Sequence, residues 1–463
     1  MPHTFNPTII REYDIRGTVN ENLTIADATA LGRAFGTMVS RAGGNHIMVG
    51  YDGRTHSPDF EAVLVEGLIS AGMKVSRIGL GPTPMLYFAV YHANAAAGIM
   101  VTGSHNPSDQ NGFKMLMAKH LKGGGPVYGE AIKALASLAA KGDYVKGTGS
   151  SQKMDVRSTY VQRMMRDSKN TRDLKVVWDC GNGAGGDIVR SLTTYLKGKH
   201  ILLFPEIDGR FPNHHPDPTV PANLKHLIEA VKANKADFGV AFDGDADRIG
   251  AVDGNGRIVA GDQLLAIYSS EVLKTHPGAT IIADVKASQI LFDYVAKLGG
   301  KPLMWKTGHS LIKAKMTETK SPLAGEMSGH VFFADMYYGY DDAIYAAMRL
   351  LNIIGTSGKS LADWRDSLPQ TISTPELRFP IDEARKFKVV EEIKGRLKKA
   401  KAKVNDTDGV RVQTEDGWWL LRASNTQAVL VARAEATSDS GLARLKGQLA
   451  DQLDSCGLTI PGM

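Results

Sequence analysis

Three stretches of this chain repeat one pattern: HIMVGYDGR from His46, KVVWDCGNGAGG from Lys175 and TIIADVKAS from Thr280. Each sets a short apolar β-type run directly before a polar turn, and each is followed by helical-looking sequence. Strand and helix signals in alternation build α/β layers, so three such starts predict three similar α/β domains in series. Some tens of residues after each start comes a polar loop of unusual composition: TGSHNP at 102–107, DGDADR at 243–248 and GEMSGH at 325–330. The rhythm changes over about 355–370, and the alternating runs LRFPI and AVLVARAEA beyond it predict the strands of a smaller α+β unit. The expected domains are therefore 1–150, 151–253, 254–367 and 368–463. Between the landmarks, SPDFEAVLVEGLISAGMKV predicts a helix with Ser57 as its cap and Pro58 in its first position, ending at Gly72.

Size agrees with several cores: 463 residues, 43% of them apolar and 22% charged, exceed what one hydrophobic core organises. Cys180 and Cys456 stand far apart and in no metal-ligand spacing, which argues against a disulfide framework or structural zinc and for a reducing, cytoplasmic setting. The N-terminal MPHTFNPTIIREYDIRG lacks the apolar core of a signal peptide, and no apolar run approaches membrane-spanning length. Neither secretion nor a membrane partner is expected. The net charge of +6 raises the question of an anionic partner. Nucleic acid binding wants basic residues gathered in a patch, whereas here they are spread along the chain apart from RLKKAKAK, Arg396 to Lys403, which reads as a solvated helix face. A small anion would need far fewer charges, placed in loops.

Four constellations carry chemistry. In FGVAFDGDADRIG, Asp243, Asp245 and Asp247 alternate in a loop after an apolar strand, and converging carboxylates repel unless a cation lies between them. A calcium loop counted from Asp243 would need Gly at position six and Glu at position twelve; Arg248 and Gly254 stand there, so that template fails. Three carboxylates with coordination positions to spare suit Mg²⁺ that also binds a phosphate oxygen; the competing reading is an acidic turn in water. Ser104 lies in T-G-S-H-N, which does not match the G-x-S-x-G elbow of serine hydrolases, and Ser-His-Asn-Pro by itself is a good turn. In LAGEMSGHVFF, Glu326, Ser328 and His330 offer groups that recognise sugar hydroxyls, with Lys306 and His309 upstream in KTGHSLIK; a lone histidine in such a place reads equally as a satisfied core side chain. In LLRASNTQAVLVARAEA, Arg422, Ser424, Asn425 and Thr426 supply a forked cation with hydroxyl and amide donors, the inventory a phosphate monoester needs, or else a polar hairpin turn. His214 and His215 in FPNHHPDP sit among prolines without ligand spacing and read as a structural loop.

Taken together, TGSHNP, DGDADR, GEMSGH and RASNT in this order, with YDIRG near the N-terminus and KTGHS before the third loop, resemble the α-D-phosphohexomutase family over essentially the whole chain, most of all its bacterial branch acting on both mannose and glucose phosphates. The resemblance implies three α/β domains with mixed sheets and a smaller C-terminal α+β domain around a central cleft. It implies that Ser104 carries a phosphoryl group and that Mg²⁺ is bound by Ser104, Asp243, Asp245 and Asp247. Tyr13, Arg16, His105, Lys114 and Arg248 would line the reaction centre, with Lys114 a candidate proton acceptor or donor. Glu326, Ser328 and His330 would hold the sugar, His309 and Lys286 would contact the substrate, and Arg422, Ser424, Asn425 and Thr426 would grip its non-reacting phosphate. The implied reaction converts hexose 1-phosphates and 6-phosphates into one another through a hexose 1,6-bisphosphate, intermediate and activator at once, in support of polysaccharide biosynthesis. Competing readings are a glucosamine-phosphate or glucose-only mutase, and a phosphatase with an aspartyl nucleophile at Asp243 or Asp245, in which the serine loop would have no task. Monomer and homodimer are both compatible with the sequence.

Overall fold

The computed structural model describes residues 1–425 and 427–458. Its four sheets follow one another along the chain. The first runs, edge to edge, Ile15–Thr18, Gln110–Met117, Ala97–Val101, His46–Tyr51, Lys74–Leu80 and Ser150–Lys153, the first two junctions antiparallel and the others parallel. The second runs Ile258–Val259, Ile249–Asp253, Phe238–Phe242, Leu174–Asp179 and Gly198–Leu203, again two antiparallel junctions and then two parallel ones. The third runs Lys301–Trp305, Thr280–Asp284, Leu323–Gly325 and Val331–Phe333, antiparallel only at the last junction. The fourth, from Ile372–Ser373 to Lys403–Asn405 through Val429–Ala436, Gly417–Ala423 and Val410–Gln413, is antiparallel throughout, with Leu377–Pro380 also on Val429–Ala436. Three α/β units are thus what the repeated pattern implied, their mixed sheets what the resemblance implied, and the smaller α+β unit what the change of rhythm implied.

The repeat has a sharper meaning than the sequence showed. In each α/β unit the special loop leaves a strand that pairs in parallel with its neighbour on one side and turns back to pair antiparallel with the next strand. Ala97–Val101 leads to Gln110–Met117, Phe238–Phe242 to Ile249–Asp253, and Leu323–Gly325 to Val331–Phe333. All residues of the three outgoing strands are buried, which is why AGIMV, FGVAF and LAG are apolar or small without alternation. TGSHNP, DGDADR and EMSGH therefore occupy equivalent positions, and one hydrophobic core running from Met48 to Leu368 holds their strands together.

Two local expectations are corrected. The helix at Ser57 spans Ser57–Ser70 with His56 in the cap position; Ser57 is inside its first turn, and its hydroxyl donates instead to Asp52 at 2.6 Å. The basic run at 396–403 is a helix face only to Lys399, since the helix Glu383–Lys399 stops there, Lys401 has φ 54° and Lys403 opens a strand. His214, by contrast, is structural: its Nε2 lies 3.0 and 3.1 Å from the Asp179 carboxylate and its ring packs edge-on to Phe204. Among the described residues no helix is long and apolar enough to cross a membrane.

Candidate active site

Ser104 adopts φ 51° and is 2% exposed. A serine is held in this left-handed conformation only where its surroundings over-determine it. Arg54 does so: fully buried, it donates to the carbonyls of Ser104 at 2.9 Å, Asn106 at 2.6 Å, Gln110 at 2.8 Å and, more closely, Pro107. Asp52 anchors the same loop through Gly103 N–H at 3.0 Å and holds Arg54 Nε at 3.2 Å. Gly103 permits the approach, because a Cβ there would stand 2.2 Å from Arg54 Nε. Asp52 and Arg54 were not singled out from the sequence, although both lie in the polar turn of HIMVGYDGR. The result is a hydroxyl aimed across the domain boundary: Ser104 Oγ donates to Asp243 Oδ2 at 2.9 Å and lies 3.2 Å from His105 Nδ1.

Asp243, Asp245 and Asp247 are each fully buried, and one oxygen from each comes within 4.8 Å of the others. Asp243 Oδ1 accepts the backbone N–H groups of Asp247 and Arg248 at 3.0 and 3.1 Å. Lys114 Nζ donates to Asp245 Oδ2 at 2.7 Å and to Asp247 Oδ2. Burial and the charges of Asp247 and Asp245 push the Asp243 carboxyl well above its ordinary value. Against the same burial, the Lys114 charge and hydrogen bond and the Thr83 hydroxyl hold Asp245 below it. The remaining oxygens Asp245 Oδ1 and Asp247 Oδ1 are buried without a hydrogen-bond partner. Hard oxygen ligands in surplus over donors fit a divalent cation such as Mg²⁺.

Cations surround the serine. Arg16 reaches Gly103 O at 3.2 Å and Asn106 Oδ1 at 2.8 Å. Arg248 Nε donates to His330 Nε2 at 3.0 Å, a bridge between the second and third units. Burial, with Arg248, Arg16 and Lys114, drives the His105 imidazole well below its ordinary value, and burial beside Lys313 does the same to His309. His330 and His309 stack at 5.5 Å between ring centroids, with their Nδ1 atoms 3.2 and 3.5 Å from Asp341 Oδ2. Asp341, whose other oxygen accepts from Lys313 at 2.9 Å, is a member of the site that no sequence spacing marked.

In the third unit Glu326 accepts Gly308 N–H at 2.6 Å, Ser328 lies half-buried at the loop tip, and Lys286 pairs with Glu376 at 2.9 Å. Arg422 Nε donates to Asp408 at 2.9 Å, and Gln427 N–H donates to Ser424 Oγ at 3.2 Å. Tyr13 joins three units: its hydroxyl donates to Thr307 O at 2.7 Å and accepts from Asn425 Nδ2 at 2.7 Å. Thr426 lies outside the described residues. The four loops named in the sequence are thus linked by contacts: Ser104 to Asp243, Arg248 to His330, and Tyr13 to Thr307 and Asn425.

A serine hydroxyl hydrogen-bonded to one of three buried aspartates that could hold a divalent cation, with Arg16 on its loop, is the equipment of a phosphoryl-transfer enzyme acting on a small phosphate ester. Family models for phosphoglucomutase/phosphomannomutase match along the chain: α/β/α domain I at 7–145, domain II at 158–256, domain III at 260–372 and the C-terminal domain at 376–452. The chain belongs to the phosphoglucomutase/phosphomannomutase family, one of the α-D-phosphohexomutases. It is 43% identical to the phosphomannomutase/phosphoglucomutase of Pseudomonas aeruginosa over 99% of this chain and 98% of that one, and 40% identical to a phosphoglucomutase of Neisseria gonorrhoeae over 96% and 97%. A solved phosphoglucomutase/phosphomannomutase family protein of Burkholderia thailandensis superposes with TM-score 0.91 at 42% identity, covering 99% of each chain.

Proposed function

We propose that this enzyme reversibly interconverts hexose 1-phosphates and hexose 6-phosphates, of mannose and glucose, through a phosphorylated Ser104 and a hexose 1,6-bisphosphate that also serves as activator. The observation that carries the reading is the Ser104 hydroxyl held on Asp243 beside two buried carboxylate oxygens that accept no hydrogen bond. A divalent cation bound there would offset the charge of a phosphoserine and of the phosphoryl group in transit.

The chain's own residues do the rest. Arg422, with Ser424, Asn425 and Thr426, grips the phosphate that does not react, while Glu326 and Ser328 orient the sugar and present a free hydroxyl to Ser104. The O–P bond to Ser104 Oγ breaks as the bond to the sugar oxygen forms, and Arg16 and Arg248 bear on the phosphoryl oxygens. Lys114, paired with Asp245 and Asp247, is a candidate to exchange the hydroxyl proton, and His330 is a second. Its Nε2 is freed when Arg248 turns to a phosphoryl oxygen, and Asp341 stands beside its Nδ1 to face the resulting imidazolium. After the bisphosphate turns end for end, the other phosphoryl group returns to Ser104 Oγ and the sugar oxygen regains its proton from the same group that took it.

Turnover of mannose 1-phosphate and glucose 1-phosphate with added bisphosphate tests this directly. Ser104→Ala should lose at least about a thousandfold in kcat, and site-mapped intact mass should find phosphate on Ser104 of the native enzyme; near-normal turnover by the variant overturns the proposal. A strong preference for glucosamine 1-phosphate in the same assay would move the substrate to the amino sugar.

A further inference from the structure

Besides Arg433 on Lys286 O, Glu435 on Ser288 and Gln289, and Glu376 on the Lys286 ammonium, the C-terminal unit touches the third unit through a hairpin that holds two of its loops by their backbones. The hairpin comprises Lys403–Asn405 and Val410–Gln413, paired antiparallel, and contains Asp408 in its turn and Arg411 on its second strand. Arg411 is 3% exposed, lies 3.6 Å over the Trp418 ring, and donates from Nη1 to Val285 O at 2.6 Å and to Ala287 O at 2.7 Å. Those carbonyls flank Lys286. Asp408 Oδ2 accepts Thr307 N–H at 3.0 Å, one residue from Gly308, whose own N–H is held by Glu326 at 2.6 Å. The same oxygen accepts Arg422 Nε at 2.9 Å. One carboxylate oxygen thus ties the arginine of the phosphate grip to the loop that holds the sugar-binding carboxylate of Glu326.

Backbone donors and acceptors buried this way must stay paired, so the hairpin cannot leave while the loops keep their arrangement unless other partners replace it. We propose that this hairpin couples phosphate grip to sugar recognition, with Asp408 and Arg411 as positioning residues: the loops carrying Lys286, Gly308 and His309 take up their sugar-binding arrangement when the C-terminal unit is closed on them. The proposal rests on the mutase reading and deepens it. Without such coupling a phosphate anion alone would be held as firmly as its grip allows and the sugar contacts would add independently; with it, the two sets of contacts form as one event, and each of the two orientations of a bisphosphate is checked at both ends.

Calorimetric titration of the full chain with glucose 1-phosphate and with inorganic phosphate separates these cases. Glu326→Gln should weaken glucose 1-phosphate binding in the native background, and the factor lost should shrink by at least about fivefold in an Asp408→Asn background. Arg411→Met should weaken glucose 1-phosphate by about tenfold while leaving inorganic phosphate within about twofold, a split that general unfolding does not produce. Asp408→Asn, in a half-buried turn, keeps the test open where Arg411→Met fails to fold. Equal losses for Glu326→Gln in both backgrounds overturn the coupling alone. A native enzyme that binds glucose 1-phosphate no better than inorganic phosphate overturns the mutase reading and this proposal with it.

Discussion

Lys114 shows how much one side chain settles in this cleft. It is 3% exposed and pairs with two carboxylates that are themselves fully buried, an arrangement whose removal on one side leaves uncompensated charge. We expect Lys114→Met to lose about 3–5 kcal/mol of stability in the presence of EDTA, and to recover part of that loss when magnesium is added, because a bound divalent cation supplies the missing positive charge. Urea unfolding with and without the metal measures both numbers. A midpoint that ignores magnesium would show that Asp243, Asp245 and Asp247 are not a cation site. The alternation of those three aspartates was visible in DGDADR, as was the mismatch to a calcium loop. What the spacing did not carry is that Lys114, more than a hundred residues earlier in the chain, takes one oxygen of Asp245 and one of Asp247 and leaves the others without a hydrogen bond, that of Asp247 3.6 Å from His330 Nδ1.

Between residue and domain, the helix Ala343–Ser357 carries a second unusual acid. Asp342 caps it, accepting Tyr345 N–H at 2.9 Å and the hydroxyls of Tyr160 at 2.8 Å and Tyr337 at 3.0 Å, and links the second unit to the third. Burial lifts its carboxyl to about 6 in spite of those hydrogen bonds. A carboxyl with a raised folded-state value binds its proton more tightly in the native state than in the unfolded chain, so its contribution falls as pH rises from the unfolded value near 4 through 6, by up to about 3 kcal/mol, and is level above. Asp342→Asn keeps a good cap and cannot ionise. Its stability relative to the native protein should therefore rise across pH 4 to 6 and then hold, in thermal or urea unfolding followed at several pH values; a constant difference over that range contradicts it. Helices and strands of this kind were readable from apolar periodicity and turn residues, and the strands LRFPI and AVLVARAEA emerged as expected. The cap at Ser57 was misread because Ser57 has a better acceptor in Asp52, a tertiary neighbour that local propensity does not see.

For the molecule as a whole, the C-terminal unit meets the first and third units at Tyr13, whose hydroxyl donates to Thr307 O and accepts from Asn425 Nδ2. Tyr13→Phe removes both hydrogen bonds without opening a cavity. We expect KM for hexose phosphates to rise about three- to tenfold, the scale of one or two net hydrogen bonds, with the melting temperature little changed; an unaltered KM would mean that this link does not contribute to closure. The sequence by itself determined the number of α/β repeats, the smaller antiparallel unit and the identities of four polar loops, because apolar periodicity and turn chemistry are local and because reactive groups such as serine, aspartate and arginine announce themselves by type. Only the tertiary structure decided which of them meet. It turned three loops into equivalent hairpin positions, gave Arg54 of the first marked turn the task of holding the serine loop, recruited Asp341 and Asp408 from unmarked stretches, and paired Lys114 with two of the three aspartates, since hydrogen-bond partnership and charge balance among buried groups depend on distances across domains that no spacing along the chain encodes.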